Sequence, residues 1–367
     1  MIVASSDTCD IVDCEAAFGI DGTVRLRPGD FSLGTPYFTS RLGQKRPRPD
    51  DDTLDNTPSD TIHAIVQQLP VMAPDYWHDR PMEAVVMNAH VHFPSLVSLA
   101  EASLRFDPDN DEDEDNRQIL RPDMALESLQ VFYRHFEHPK DSPILIRVQD
   151  AYYWIPPRTA FMMGSLENIH LPTLGKFDCI VMDPPWPNKS VRRSAHYETQ
   201  EDIYDLFAIP LPQLAQPNCL VAVWVTNKPK FIRFVQKLFA AWDVEPLTTW
   251  YWLKVTTHGE PVCPIDSPHR KPYEHLILGR KRPVKININD PPALPRVLVS
   301  VPSKHHSRKP PLNDILMRYL PSDARRLELF ARCLTPGWTS WGNECLKFQH
   351  VDYFYDTNEA MEEGKQK

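Results

Sequence analysis

An α/β fold on a mainly parallel sheet is the class that residues 151–350 predict, and three observations lead to it. Short apolar runs recur after Pro143, at 144–148, 177–182, 220–226, 248–255, 275–278, 297–301 and 327–330. Helix-period stretches at 200–215, 229–241 and 312–320 fall between several of them, and strands alternating with helices imply crossovers between parallel strands. The run 177–182 stops at Asp183-Pro184-Pro185-Trp186. Proline cannot extend a ladder, so the chain leaves the sheet there. That exit lies at the carboxyl ends of the strands, where open α/β sheets bind ligands.

The remaining segments read as a mixed accessory region before that unit and a tail after it. Residues 1–60 are rich in Asp, Pro, Gly, Ser and Thr and predict a flexible N-terminal arm. Within it Phe18, Ile20, Val24 and Leu26 alternate about Asp21-Gly22, the pattern of a hairpin. Lys45-Arg46-Pro47-Arg48 reads either as a nuclear import signal or as a solvated loop. Residues 61–150 predict an accessory domain. Ile62, Ile65, Val66 and Leu69, and later Val85, Leu96 and Leu99, recur at helical spacing. Leu126, Leu129, Phe132, Tyr133 and Phe136 form one more helical stripe, of the kind that packs into a core. Between these lies an acidic loop at 107–116, with seven acids in the nine positions from Asp107 to Asp115. Like charges at that density resist packing. Residues 351–367 form a C-terminal tail.

Charge divides the chain. The net value of −9 hides 13 basic and 27 acidic residues in 1–150 against 27 basic and 22 acidic in 151–367. The α/β unit is therefore the part able to receive a polyphosphate. Seven cysteines form no Cys-x-x-Cys pair and no Cys/His spacing, which predicts reduced thiols and no metal site. No signal-like start and no span-length apolar run occurs, so a soluble chain of the nucleus or cytosol, with no membrane contact, is expected.

Asp183-Pro184-Pro185-Trp186 suits a flat base that carries an exocyclic amine. A carboxylate and a proline carbonyl accept hydrogen bonds from the two N–H groups, and the indole stacks on the ring. An aromatic amine is a poor nucleophile because its lone pair is delocalised. Acceptors on both N–H bonds favour the pyramidal form and stabilise the positive charge that grows on nitrogen during attack. The alternative is a strand that merely ends in a Pro-Pro turn beside a core tryptophan.

Five segments in order add a resemblance. Ile155-Pro156-Pro157, Asp183–Trp186 with Asn188 to Ser194 behind it, Lys271 to Gly279, Ser307-Arg308-Lys309-Pro310-Pro311, and Leu327 to Arg332 with Trp338 to Glu344 resemble the eukaryotic adenine-N6 methyltransferase family. Within it, they resemble the branch called methyltransferase-like protein four. The resemblance implies a permuted Rossmann-like methyltransferase sheet with flanking helices, and S-adenosylmethionine as methyl donor. It implies catalytic roles for Asp183, Pro184, Pro185 and Trp186, with Tyr197 and Glu274 beside the acceptor base. Cofactor contacts are implied for Ser165, Leu166, Asp183, Lys309, Phe330, Arg332, Asn343 and Glu344, the Lys309 ammonium meeting the methionine carboxylate or a ribose hydroxyl. Asn188, Lys189, Arg192 and Arg193, directly after the motif, are expected on phosphates flanking the target. Two departures stand out. No Gly-x-Gly follows Leu329-Phe330, and Ser165 stands where the family often has an acid.

The function expected is N6-methylation of adenine in RNA, single-stranded or flipped out, with small nuclear RNA at a 2′-O-methyladenosine as the target the branch implies. DNA adenine presents the same base and is the alternative. A non-catalytic RNA-binding subunit is the alternative of another class, against which the intact Asp183–Trp186 motif argues. Methylation of a protein amide is a further one, disfavoured by Asp in place of Asn and by the basic loop. The protein is expected to act as a monomer in the nucleus, with the cytoplasm also open to it.

Overall fold

The computed structural model describes residues 1–37, 58–77, 117–127, 131–166, 171–187, 203–267, 270–283, 291, 295–305 and 308–356. In chain order the strands are β1 (Ile2–Ser5), β2 (Cys9–Val12), β3 (Val24–Leu26), β4 (Arg117–Ile119), β5 (Ala125–Leu126), β6 (His135–His138), β7 (Ile144–Val148), β8 (Ala151–Ile155) and β9 (Thr159–Met163). They continue with β10 (Phe177–Met182), β11 (Ala215–Val225), β12 (Val244–Lys254), β13 (Tyr273–Lys281), β14 (Val297–Ser300), β15 (Arg326–Leu329), β16 (Thr339–Gly342) and β17 (Phe354–Asp356). The α-helices are α1 (Cys14–Ala17), α2 (Ser59–Met72), α3 (Leu211–Leu214), α4 (Pro229–Ala241) and α5 (Asn313–Leu316).

Twelve strands form one sheet in the order β1-β2-β14-β12-β13-β11-β10-β15-β16-β9-β6-β4. Its centre, β11-β10-β15-β16-β9, is parallel throughout. Antiparallel β13 stands between β11 and β12. The strand that opens the second half of the centre, β15, comes late in the chain yet pairs with β10, as expected of the permuted order.

Burial on both faces explains why the central strands read as unbroken apolar runs. In β10, Ile180 and Met182 face the core beneath α4, while Cys179 and Val181 face a second core on the other side. In β11 the same alternation sends Val221 and Val223 one way and Leu220, Ala222 and Trp224 the other. Helix α4 begins with Pro229 in its first turn, where a missing N–H costs nothing. It buries Phe231, Phe234, Val235, Leu238 and Phe239, the i, i+3, i+4, i+7, i+8 stripe of an amphipathic helix.

Several expectations change. Residues 1–37 of the expected flexible arm are part of the fold. The four residues of β2 are all buried, and β2 pairs in parallel with β14. Buried Asp10 anchors this addition by accepting from Arg296 and, at 2.9 Å, from Arg318. The stretch is too short for its polar composition to reveal. The hairpin at Asp21-Gly22 is only a turn, closed by Asp21 accepting from the backbone of Thr23 and Val24. β3 pairs instead with β17, which draws residues 354–356 of the expected tail into the fold.

Among the described residues, the stripe 126–136 is not helical. Leu126 lies in β5, Phe136 in β6, and Tyr133 between them has φ 58°. Leu126, Phe132, Tyr133 and Phe136 are core, but core supplied by strand edges and turns, and Leu129 lies outside the described residues. The expected helix at 200–215 gives way to a 3₁₀ turn at Ile203–Ala208, short α3, and an early start to β11. Pro210 and Pro212 interrupt the longer helix. The expected helix near residue 62 is α2, which seats Ile62, Ile65 and Leu69 on the sheet. The sheet also crosses the expected boundary at 150, since β6 pairs with β9. The acidic loop 107–116 and the basic cluster at 45–48 lie outside the described residues.

Candidate active site

Strand order brings the candidate residues to one edge. β10, β15, β16 and β9 are parallel neighbours, so the residues that follow them share the carboxyl edge. These are Asp183, Phe330, Asn343 with Glu344, and Ser165 with Leu166. Glu274 is the second residue of antiparallel β13 and Lys254 ends β12, which puts both at that same edge. An α/β sheet binds its ligands along this line.

Asp183 is the hub. Its Oδ2 is 3.2 Å from the Lys309 ammonium and accepts a hydrogen bond from Arg332 at 3.1 Å. No hydrogen bond reaches its Oδ1 from the described residues. Lys309 lies 3.0 Å from Glu274, and Glu274 also accepts from Lys254. Arg332 turns its Nε towards Glu344 at 3.4 Å, and Glu344 meets Lys347 at 2.8 Å. Three carboxylates and four cations thus alternate across the edge in one chain of charge.

Burial alone would raise the Glu274 carboxyl, but Lys309 and Lys254 outweigh it and hold it down to about 2. Burial likewise opposes the Lys309 charge, and Asp183 and Glu274 overcome it, so its ammonium is held above the ordinary range. Glu328, on β15 opposite Val181, is pushed up to about 7 by burial and by the Asp183 charge. Sequence reasoning singled out neither Glu328 nor Lys254. An acid inside an apolar run and a lysine closing one were the available signals.

An open cleft lies against this network, lined by Asp183, Trp224, Lys309, Glu328, Phe330 and Arg332 among others. Backbone shape matters here as well. Phe330 adopts φ 62°, a left-handed conformation uncommon outside glycine and frequent at functional sites. A Cβ on Gly342 would sit 3.0 Å from the Ala331 nitrogen. The missing Gly-x-Gly is therefore answered by a strained Phe330 and by one glycine on the neighbouring strand.

Other expected residues are placed as follows. Pro184 is buried, and its carbonyl already accepts from the Trp186 N–H at 2.8 Å, so only one of its lone pairs remains for an amine. Trp186 is half-buried. Its indole N–H donates to the Trp224 carbonyl at 2.7 Å, and its ring packs on Phe231 with centroids 5.2 Å apart. Leu166 is core, and the Ser165 hydroxyl is 3.4 Å from the Tyr133 hydroxyl. Asn343 is exposed at the end of β16. Lys309 is matched to two carboxylates, which makes it a bridge between the motif and Glu274 besides any contact with a ligand. Asn188, Lys189, Arg192, Arg193 and Tyr197 lie outside the described residues.

The fold and the site define a class first: a Rossmann-like α/β protein whose strand-end carboxylate, held by two cations, borders an open cleft. Comparison with known proteins narrows it. The MT-A70 family model matches residues 177–344. The chain is 42% identical over 281 residues to the human N(6)-adenine-specific methyltransferase METTL4, covering 74% of this chain and 58% of that protein. It is 36% identical to the N6-methyladenosine RNA methyltransferase MTA1 of Cryphonectria parasitica, covering 64% of this chain and 72% of that protein. It is 35% identical to a DNA N6-methyl methyltransferase of Caenorhabditis elegans, covering 58% of this chain and 59% of that protein. The chain thus spans little more than half the length of the human relative. It belongs to the MT-A70 family, whose methyltransferases depend on S-adenosylmethionine.

The residues present fit that donor. A left-handed Phe330 beside Gly342 allows close backbone approach. Asn343 and Glu344 have the chemistry for ribose hydroxyls. The edge offers cations for a carboxylate and carboxylates for an ammonium.

Proposed function

We propose that this chain transfers a methyl group to the N6 amine of adenine in RNA. One observation carries the reading: both cations on Asp183 engage Oδ2, and Oδ1 has no hydrogen bond from the described residues. A carboxylate fixed on one side and uncommitted on the other is a preorganised acceptor. Its orientation is set before the amine arrives, so little reorganisation is needed during attack. Lys309, Phe330, Arg332, Asn343 and Glu344 would hold S-adenosylmethionine, which supplies an electrophilic methyl group when bound.

The chain's own residues then do the following. Asp183 accepts one amine N–H through Oδ1, and the free lone pair of the Pro184 carbonyl serves the other. Trp186, braced by Phe231 and by its bond to Trp224, offers a rigid ring edge or face to the base. Lys309 and Arg332 keep Asp183 aimed by holding its Oδ2. The bulk of the rate enhancement is alignment and electrostatics. The proton leaves nitrogen after transfer, and no dedicated base is required. An adenine within a duplex hides this amine, so the target is single-stranded or flipped out.

RNA is the substrate supported by the named activity of the fungal relative, and the target proposed within it is a 2′-O-methyladenosine of small nuclear RNA. DNA is the second reading, favoured by the name of the nematode relative. Labelled methyl transfer to matched RNA and DNA oligomers, followed by nucleoside analysis, separates them. Label in N6-methyldeoxyadenosine alone would overturn the RNA assignment, and no label in either would overturn the activity. Monomeric action in the nucleus completes the proposal, to be checked by light scattering and by imaging of the tagged chain.

A further inference from the structure

We infer that helix α4 and the 3₁₀ turn Ile203–Ala208 form a docking ridge for the single strand that flanks the target base. The inference rests on the nucleic-acid reading above and adds a surface that the motif and its following loop do not include.

Three independent features converge on this ridge. The first is charge. From Asn227 to Trp242 the chain carries Lys228, Lys230, Arg233 and Lys237 and no acid, and all four cations are exposed. Lys230, Arg233 and Lys237 recur at i, i+3 and i+7, so they form one row along the helix, about 10 Å long at 1.5 Å per residue. A row of like charge on a chain of net charge −9 is a local choice, not a reflection of composition. Asp205 is the one acid on the two elements.

The second feature is aromatic. Tyr204 and Phe207 are 59% and 37% exposed, among the large apolar side chains left most open in the described residues. Their rings stack on each other with centroids 6.2 Å apart. Both lean on Phe234, each at 5.4 Å. Phe234 follows Arg233 and sits about 40° around the helix from Lys230, so the aromatic pair lies alongside the cationic row. Exposed rings beside a basic track are what sequence-tolerant binding of a single strand needs: cations for phosphates and flat faces for bases. A protein partner would be expected to call for an apolar core ringed by mixed charge, and these two elements carry three cations against one acid, Asp205.

The third is position. Phe231 and Phe234, the buried neighbours of the row, are also the residues on which Trp186 packs, at 5.2 and 6.5 Å. Lys230 lies 4.7 Å from the Phe231 ring centroid. The ridge therefore starts at the acceptor motif and leads away from it. A strand whose adenine enters beside Trp186 has its neighbouring nucleotides at the start of this track.

The test measures binding of a fluorescent single-stranded RNA oligomer to the full chain without donor, across a salt series. Two variants are compared with the parent: Lys230→Gln with Arg233→Gln and Lys237→Gln, and separately Tyr204→Ala with Phe207→Ala. All five positions are exposed, so the fold is expected to survive, and unchanged thermal unfolding checks this. Removing three phosphate-binding cations should lower the log–log salt slope by about 2. Removing the rings should weaken binding at least tenfold with the slope unchanged. Parallel slopes in the first variant together with parent-like affinity in the second would overturn the ridge and leave it to some other partner. Because binding is read without methyl transfer, a parent that binds through the ridge but never methylates sinks the catalytic reading alone. A parent that methylates while both variants bind normally sinks the ridge alone.

Discussion

Asp183→Asn changes almost no volume and tests the centre of the site. Oδ2 of Asp183 faces two cations, Lys309 at 3.2 Å and Arg332 at 3.1 Å. An asparagine there must keep its amide oxygen towards those cations, because an NH₂ group facing two donors would be repelled. Its NH₂ then replaces Oδ1 and presents a donor where the substrate amine needs an acceptor. The variant thus loses a preorganised charged acceptor and gains a misdirected donor. The first loss alone is worth about 3 kcal/mol, more than a hundredfold in rate. Stability should change little, since Lys309 keeps Glu274 at 3.0 Å. The assay is single-turnover transfer of labelled methyl to RNA, with donor binding followed by calorimetry. Transfer should fall at least a hundredfold while the donor still binds. The same variant should lower the titration of Glu328 from about 7, because the Asp183 charge helps to hold it up. A single-turnover rate within tenfold of the parent would refute the acceptor role.

Four further outcomes are expected. Glu328→Gln should stabilise the protein at pH 8, by up to about 3 kcal/mol in urea unfolding, and leave it unchanged near pH 4. The sign follows from a folded carboxyl raised to about 7: the unfolded chain ionises from its ordinary value of 4.5 upward, so the parent loses stability between those two values and the variant does not. Lys309→Ala with Asn343→Ala should raise the donor's dissociation constant in calorimetry with RNA affinity little changed; unchanged donor binding would displace the cofactor from this edge. Gly342→Ala forces a Cβ to 3.0 Å from the Ala331 backbone, and thermal unfolding should show a loss of about 1–3 kcal/mol. Replacing Lys189, Arg192 and Arg193 with Ala should reduce the salt slope of RNA binding by about 0.7 for each phosphate they neutralise, and parallel slopes would assign these cations to solvent.

Sequence suffices for the parts of this protein whose signal is local. Buried parallel strands have apolar residues on both faces, so β7 and β10 were legible to the residue, and the core of β11 to β15 nearly so. A helix with one buried face repeats its apolar residues at helical spacing, so α4 was legible too. Asp183 announced itself because an acid and two prolines end an apolar run. Other features depend on neighbours far along the chain and emerge only once it is folded. β2 is buried because β14 and two arginines wait for it, and β9 and β16 are strands because each completes the other's ladder. Phe136 belongs to a strand rather than a helix because β9 pairs with it. The charge chain from Lys254 through Glu274, Lys309, Asp183 and Arg332 to Glu344 joins residues up to 149 positions apart in a single pairing. Strand order alone sets those distances, and residue type cannot report them. The same holds for the state of each group: Glu328 is raised by burial and then by the Asp183 charge, while two lysines outweigh the burial of Glu274 and lower it.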